Sequence, residues 1–241
     1  MLPFFRKIRK QHADDNQILK YARYAIGEIV LVVIGILIAL QINNWKEERK
    51  NKFLEKKTLE NLKADLEVQM GIIQLQESNE SSYTAMADSC LQMIRNGINA
   101  TRLIPLLDSL SERVTFVANS VTFENLGLDG TTTVLRNSDL QNKIVQYYQQ
   151  LDYTTSVINN NNLFRTNSQF GSFVVNNAMG FQLNGDGRVD ENYSPGAERL
   201  YLLKKQLDAR RYSSENNLEK CVLQMVNTKE LIRLIDKELN Q

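Results

Sequence analysis

The chain has 241 residues, 42% hydrophobic and 24% charged, with a formal net charge of +1. Its 3 Pro and 11 Gly are about half the usual supply of backbone punctuators, which favours long helices over sandwiches, barrels or disorder. Near-neutral charge argues against a nucleic-acid binder, and one His with two Cys leaves little material for a His/Cys metal site. The mean hydropathy of −0.36 looks soluble, but it averages over one strongly apolar run.

Residues 1–23 form a basic tail carrying Arg6, Lys7, Arg9, Lys10, Lys20 and Arg23. The sequence IGEIVLVVIGILIALQI follows at 26–42, and from Ile29 to Leu40 no side chain is polar. Tyr24 and Trp45 bracket it as interfacial anchors. The 22 residues between these two rings, counted inclusively, make about 33 Å of helix against a bilayer core of ~30 Å. The pattern predicts a transmembrane helix over 24–45 and an extramembrane domain over 46–241. A buried core helix would not need these aromatic and charged flanks. A cleaved signal peptide would need a small-x-small site, which ALQINNW lacks, so an uncleaved signal anchor is expected.

Six Lys/Arg precede the run, and six more (Lys46, Arg49, Lys50, Lys52, Lys56, Lys57) lie at 46–60. The positive-inside rule is close to a tie on these counts. A short tail made first and a long C-terminal domain favour a cytoplasmic N-terminus and a periplasmic domain at a bacterial inner membrane. Glu28, Gly35 and Ala39 fall on one helical stripe. Gly35 and Ala39 form a small-xxx-small pair, a weak signal for helix association, and Glu28 either hydrogen-bonds across such an interface or snorkels to the headgroups.

Beyond the span, Leu59, Leu62, Leu66, Met70 and Ile73 recur three and four apart, an amphipathic stripe continuing the membrane helix until Gly71. A helix is expected from Ser82 to Arg95, ending at Asn96-Gly97. Another follows Pro105, a residue tolerated in a first turn. Residues 115–135 are Thr-, Val- and Gly-rich and are the one place for short strands. Helix returns from Ser138 to about Phe170, weakened at Asn159–Asn162. Loops are expected near 119–137 and 176–196. From Ala197 no Pro or Gly interrupts the chain, giving one long helix or two joined near Ser213-Ser214. The fold class is mainly α: one N-terminal transmembrane helix followed by an elongated antiparallel helical bundle.

Two stretches resemble a known family. YAIGEIVLVVIGILIALQINNWKEERK, at 24–50, is similar to the N-terminal hallmark of single-span proteins of unknown function from Bacteroidota-type Gram-negative bacteria. The lead-in FFRKIRK is similar to that family's basic start. TFENLGLDGTTTVLRNSDLQNKIVQYY, at 122–148, resembles its central segment, departing with Leu-Gly-Leu-Asp-Gly where Lys-Ser-Ser-Gly-like residues are expected. The resemblance implies a membrane protein and supplies no chemistry.

Candidates for chemistry are few. The loop at 184–191, NGDGRVDE, resembles part of a calcium loop, but the bidentate acid at its last position would be Tyr193. A polar turn explains it better. Cys90 and Cys221 are either a disulfide pair or two small buried apolar residues. His12 has no second His to work with. Asp14-Asp15 and Glu47-Glu48 lie in charged runs. Tyr147-Tyr148 fits the core better than a binding surface. Asp108-Ser109-Leu110 resembles a short bacterial O-glycosylation signal, which three residues match often by chance. No catalytic, cofactor-binding or metal-binding residue is assigned, and no cofactor is expected. The expected partners are the lipid bilayer and either a second copy or another envelope protein, with no nucleic acid. The function expected is a non-enzymatic scaffold or accessory subunit. The alternative is an enzyme or ligand sensor with a polar site in the Asn/Gly-rich loops.

A span of this length predicts that the chain stays in the membrane pellet after an alkaline carbonate wash. A variant lacking residues 1–45 should be released. Release of the full chain would overturn the span.

Overall fold

The computed structural model describes residues 3–128, 135–177 and 196–240. Among them there is no strand, and the mainly α expectation holds. In order they form α1 (Pro3–Asn96), α2 (Ala100–Ser111), α3 (Val121–Leu128), α4 (Ser138–Asn161), a π-helix (Asn162–Gly171), α5 (Ser172–Asn177) and α6 (Ala197–Leu239). The chain divides into two compact units, residues 1–55 and 56–241, with the boundary inside α1.

The first unit is the basic and apolar part of α1. An 18-residue stretch of it reaches a mean hydropathy of 2.6, and none of that stretch is buried within the protein. Exposed apolar surface of this kind costs roughly 25 cal/mol per Å² in water. A lipid environment removes that cost, and the helix is long and apolar enough to cross a membrane.

The second unit is built on α1, α4 and α6. In α1 the buried positions alternate three and four apart through Leu59, Leu62, Leu66, Gln69, Ile73, Gln76 and Glu80, and resume seven residues on at Ala87 and Cys90. The same spacing runs down α6 from Leu203 through Arg210, Asn217 and Gln224 to Ile235. Such a repeat keeps one face of each helix on its neighbour over many turns. Lys63 Nζ meets Asp236 at 2.7 Å, Asn217 Nδ2 donates to Glu80 at 2.8 Å, and Arg211 reaches Asp88 at 3.5 Å. Each step forward on α1 is therefore a step back on α6. Tyr147 against Thr228 (3.0 Å) and Asn161 against Asn217 (2.8 Å) set α4 antiparallel to α6 as well. One apolar cluster, with Leu62, Leu66, Ile144, Leu151 and Ile235, fills one end of the unit. A second, with Ala87, Cys90, Leu103, Leu107, Phe170 and Leu207, fills the other.

Several sequence expectations change. Helix α1 runs straight through Gly71, whose α-carbon faces open space. A lone exposed Gly costs only ~1 kcal/mol against Ala, too little to break a helix this well packed. The stop at Gly97 is real: its φ of +115° suits glycine and ends α1. Helix α2 starts before Pro105 because the Asn99 side chain accepts the Arg102 N–H, so Pro105 falls in the second turn. Helix α6 is one element, with Ser213 and Ser214 buried in it. The loop expected at 119–137 contains α3, and its other described residues are non-helical. No strand forms among the described residues of 115–135. The loop expected at 176–196 is flanked by α5 and α6, and residues 178–195, with the calcium-like stretch, lie outside the described residues.

Both cysteines are free and buried. Burial pushes the Cys90 thiol up to about 11 and the Cys221 thiol up to about 12. A raised folded value contributes stability that is present below the unfolded thiol value and lost as pH rises through the folded one. Both thiols should therefore resist a maleimide at pH 8 until urea unfolds the chain, and stability should fall between about pH 9 and 12. Rapid labelling of the folded chain would contradict this packing.

Candidate functional site

Between the two apolar clusters the seam turns polar. Glu80 and Arg210 are each 1% exposed, with Glu80 Oε2 3.9 Å from Arg210 Nη1. Glu80 Oε1 accepts from Gln76 Nε2 at 2.9 Å and from Asn217 Nδ2 at 2.8 Å. Arg210 Nε donates to the Leu110 carbonyl at 2.9 Å, and Nη1 donates to Ser214 Oγ. Its guanidinium carbon lies 4.6 Å from the centre of the Tyr83 ring. One arginine thus ties α6 to α1 and to the C-terminal turn of α2, whose carbonyls favour a cation. Burial pulls the Arg210 guanidinium below its ordinary value, and the Glu80 carboxylate and Tyr83 pull it back up. Burial pushes the Tyr83 hydroxyl up.

The polar rungs continue towards the C-terminal end of α6. The Tyr147 hydroxyl lies 3.0 Å from Thr228 Oγ1, whose own proton goes to the Gln224 carbonyl at 2.7 Å, so Tyr147 is the donor. Burial raises both Tyr147 and Tyr148. Tyr148 stacks on Phe123 of α3 at a ring separation of 4.1 Å. Glu80 Oε2, Arg210 Nη2, Thr166 Oγ1 and Ser213 Oγ have no hydrogen-bond partner. The network is therefore only partly satisfied.

Around this centre, asparagines hold the extended segment 112–120. The Phe116 N–H donates to Asn159 Oδ1 at 3.0 Å, and Asn159 Nδ2 returns a bond to the Phe116 carbonyl at 2.9 Å. Asn162 Nδ2 donates to the Val114 carbonyl at 2.8 Å. On the other side the Asn119 N–H meets Gln69 Oε1 at 2.6 Å, and the Thr122 N–H, at the start of α3, meets the Asp65 carboxylate at 2.8 Å. Within the asparagines at 159–162, read from sequence as a weak point in a helix, Asn159 and Asn162 form a clamp. Where they bind, the chain leaves α-helical geometry for the ten-residue π-helix, an arrangement usually confined to single turns and frequent at functional sites.

The residues singled out from sequence lie elsewhere. Tyr24 and Trp45 are 71% and 62% exposed on α1. Glu28, Gly35 and Ala39 are exposed on the same helix. Cys90 and Cys221 belong to different apolar clusters. By the α1–α6 register they sit roughly a dozen residues apart in height, or ~18 Å. A disulfide needs Cα atoms within about 7 Å, so the pairing is corrected to two free thiols. Ser109 lies within α2. Among the described residues, no group of three or more His, Cys, Asp or Glu is placed to hold a metal ion.

A family model described as Family of unknown function (DUF6090) matches residues 28–192. The chain belongs to that family. The matched stretch holds Glu80, the clamped segment and the π-helix, while α6 and its Arg210 lie beyond it. No curated protein and no solved structure matches the chain.

Removing one member of a buried ion pair leaves the other charge uncompensated, at a cost of ~3–5 kcal/mol. R210A should lower unfolding stability by that order, read by helical circular dichroism in urea. The double variant E80L/R210M should recover most of the loss. A double-variant loss equal to the sum of the separate E80L and R210M losses would show that the pair is not coupled.

Proposed function

We propose that this protein is a single-pass, membrane-anchored helical protein acting through protein–protein contacts, as a scaffold or accessory subunit rather than as an enzyme. Its place on this reading is the inner membrane of a Bacteroidota-type bacterium, with the N-terminus cytoplasmic and residues 46–241 periplasmic. The observation that carries the reading is the direction of the polar chemistry. Glu80, Arg210, Asn217 and Ser214 are buried, and the hydrogen bonds that they make go to one another, to Gln76, to Asn161 and to the Leu110 carbonyl. A charged pair engaged in this way acts on the fold, since a reacting group must reach a substrate. Meanwhile Tyr153, Leu223 and Val226 stay exposed on the second unit.

The orientation is tested by fusing alkaline phosphatase to the C-terminus in one strain and green fluorescent protein in another. The expected result is active phosphatase and dark fluorescent protein. The reverse pattern would place the domain in the cytoplasm.

A further inference from the structure

We propose that the outer face of α4 and α6 is a self-association surface, on which a second copy of this chain packs with its helices running in the same direction. The inference rests on the protein-contact reading above and names the partner.

Within one chain, α4 and α6 are antiparallel, with Tyr147 level with Thr228, Thr154 with Gln224 and Asn161 with Asn217. On the outer side the two helices border a cleft of about 260 Å³, lined by Lys143, Gln150, Asn227 and Glu230 among others. A second cleft follows towards the end of the unit, with Asp139 and Lys237 on its walls. By the same register Asp139 is level with Lys237, Lys143 lies about one turn from Glu230, and Gln150 is level with Asn227. Further along, Tyr153 on α4 is level with Leu223 on α6. These two are 55% and 47% exposed, and Val226, one turn from Leu223, is 59% exposed.

A two-fold axis along the groove, parallel to both helices, sets α4 of one copy on α6 of the other at the same height. That operation brings every one of these matches into being a second time, between copies. Acid meets base at Asp139 and Lys237, and apolar meets apolar at Tyr153 and Leu223. A face that is self-complementary under one rotation is what an isologous dimer requires. Its size also suits. Helix α4 has 24 residues, about 36 Å, and two helices ~10 Å apart present a face ~20 Å wide, so the projected area is ~700 Å². A stable interface buries about 800 Å² per partner.

The test uses the full chain in mild detergent. Light scattering is expected to give a dimer, and Leu223→Arg is expected to weaken it roughly tenfold or more while circular dichroism stays unchanged. In a second arm, Tyr153→Cys and Leu223→Cys are placed on two differently tagged chains expressed together. Mild oxidation should join one tag to the other, since the native thiols are buried. A dimer unaffected by Leu223→Arg, or no tag-to-tag product, overturns the proposal. A product joining either introduced thiol to a different protein also overturns it and leaves the protein-contact reading standing. A monomer that captures nothing removes both.

Discussion

The buried charge pair Glu80–Arg210 ties α6 to α1 at one height in the second unit. Taking both groups out of water costs several kcal/mol each. That cost is offset only while Gln76, Asn217, Ser214, Tyr83 and the Leu110 carbonyl stand where they do. Leucines repeating three and four apart fit almost as well after a slip of seven residues. An arginine that must reach one carbonyl and one carboxylate does not. The pair therefore fixes α6 in height against α1 and pins the end of α2. The apolar clusters at either end supply the driving force, each fully buried Leu contributing ~1.5–3 kcal/mol.

Once that register is set, the 112–120 segment has one place to lie. It leaves α2 beside Arg210 and passes between α1 and the π-helix. An extended chain there needs partners for its N–H and C=O groups. A sheet would supply them from a neighbouring strand. Here side chains do so: Asn159 pairs with both backbone groups of Phe116, as a strand neighbour would, and Asn162 and Gln69 take others. Asn is frequent, at 25 of 241 residues, and at these positions the frequency has a cause. The π-helix begins where this clamp ends. At Gly171, the last residue of this wider turn, a Cβ would lie 3.3 Å from the Thr166 carbonyl, a tight contact.

Much of this architecture was legible. The apolar run, its Tyr24 and Trp45 flanks and the stop at Gly97 follow from composition and spacing, while the choice between one long α6 and two helices joined near Ser213-Ser214 was settled only by the burial of both serines. The polar seam was hidden because stripe counting looks only for apolar residues. Met70 fitted the stripe by type, yet the buried neighbour is Gln69, with Met70 half-exposed. Gln69, Gln76 and Glu80 continue the Leu59–Leu62–Leu66 spacing, and that continuation was the available signal. The clamp was harder to see. Asn159 and Phe116 are 43 residues apart, and nothing local ties them. Helix α3 was masked by its Thr and Gly content, and its start depends on Asp65, 57 residues away from Thr122.

The distribution of polarity separates what builds the second unit from what it offers to others. Its distinctive polar side chains point inward, where they cost desolvation and return register. Its exposed large apolar side chains, such as Tyr153, Leu223 and Val226, leave about half of their surface in water. Single exposed hydrophobics need no explanation, because apolar atoms cover much of any protein surface. Two at one height on neighbouring helices, above charges that match across the same groove, are a pattern rather than a scatter. The rigid register enforced by Glu80 and Arg210 is what keeps that pattern aligned. A slip of α6 would carry Leu223 away from Tyr153 and Lys237 away from Asp139 together. The buried pair and the outer face are thus coupled through one helix: what fixes α6 in height also fixes which side chains stand level across the groove.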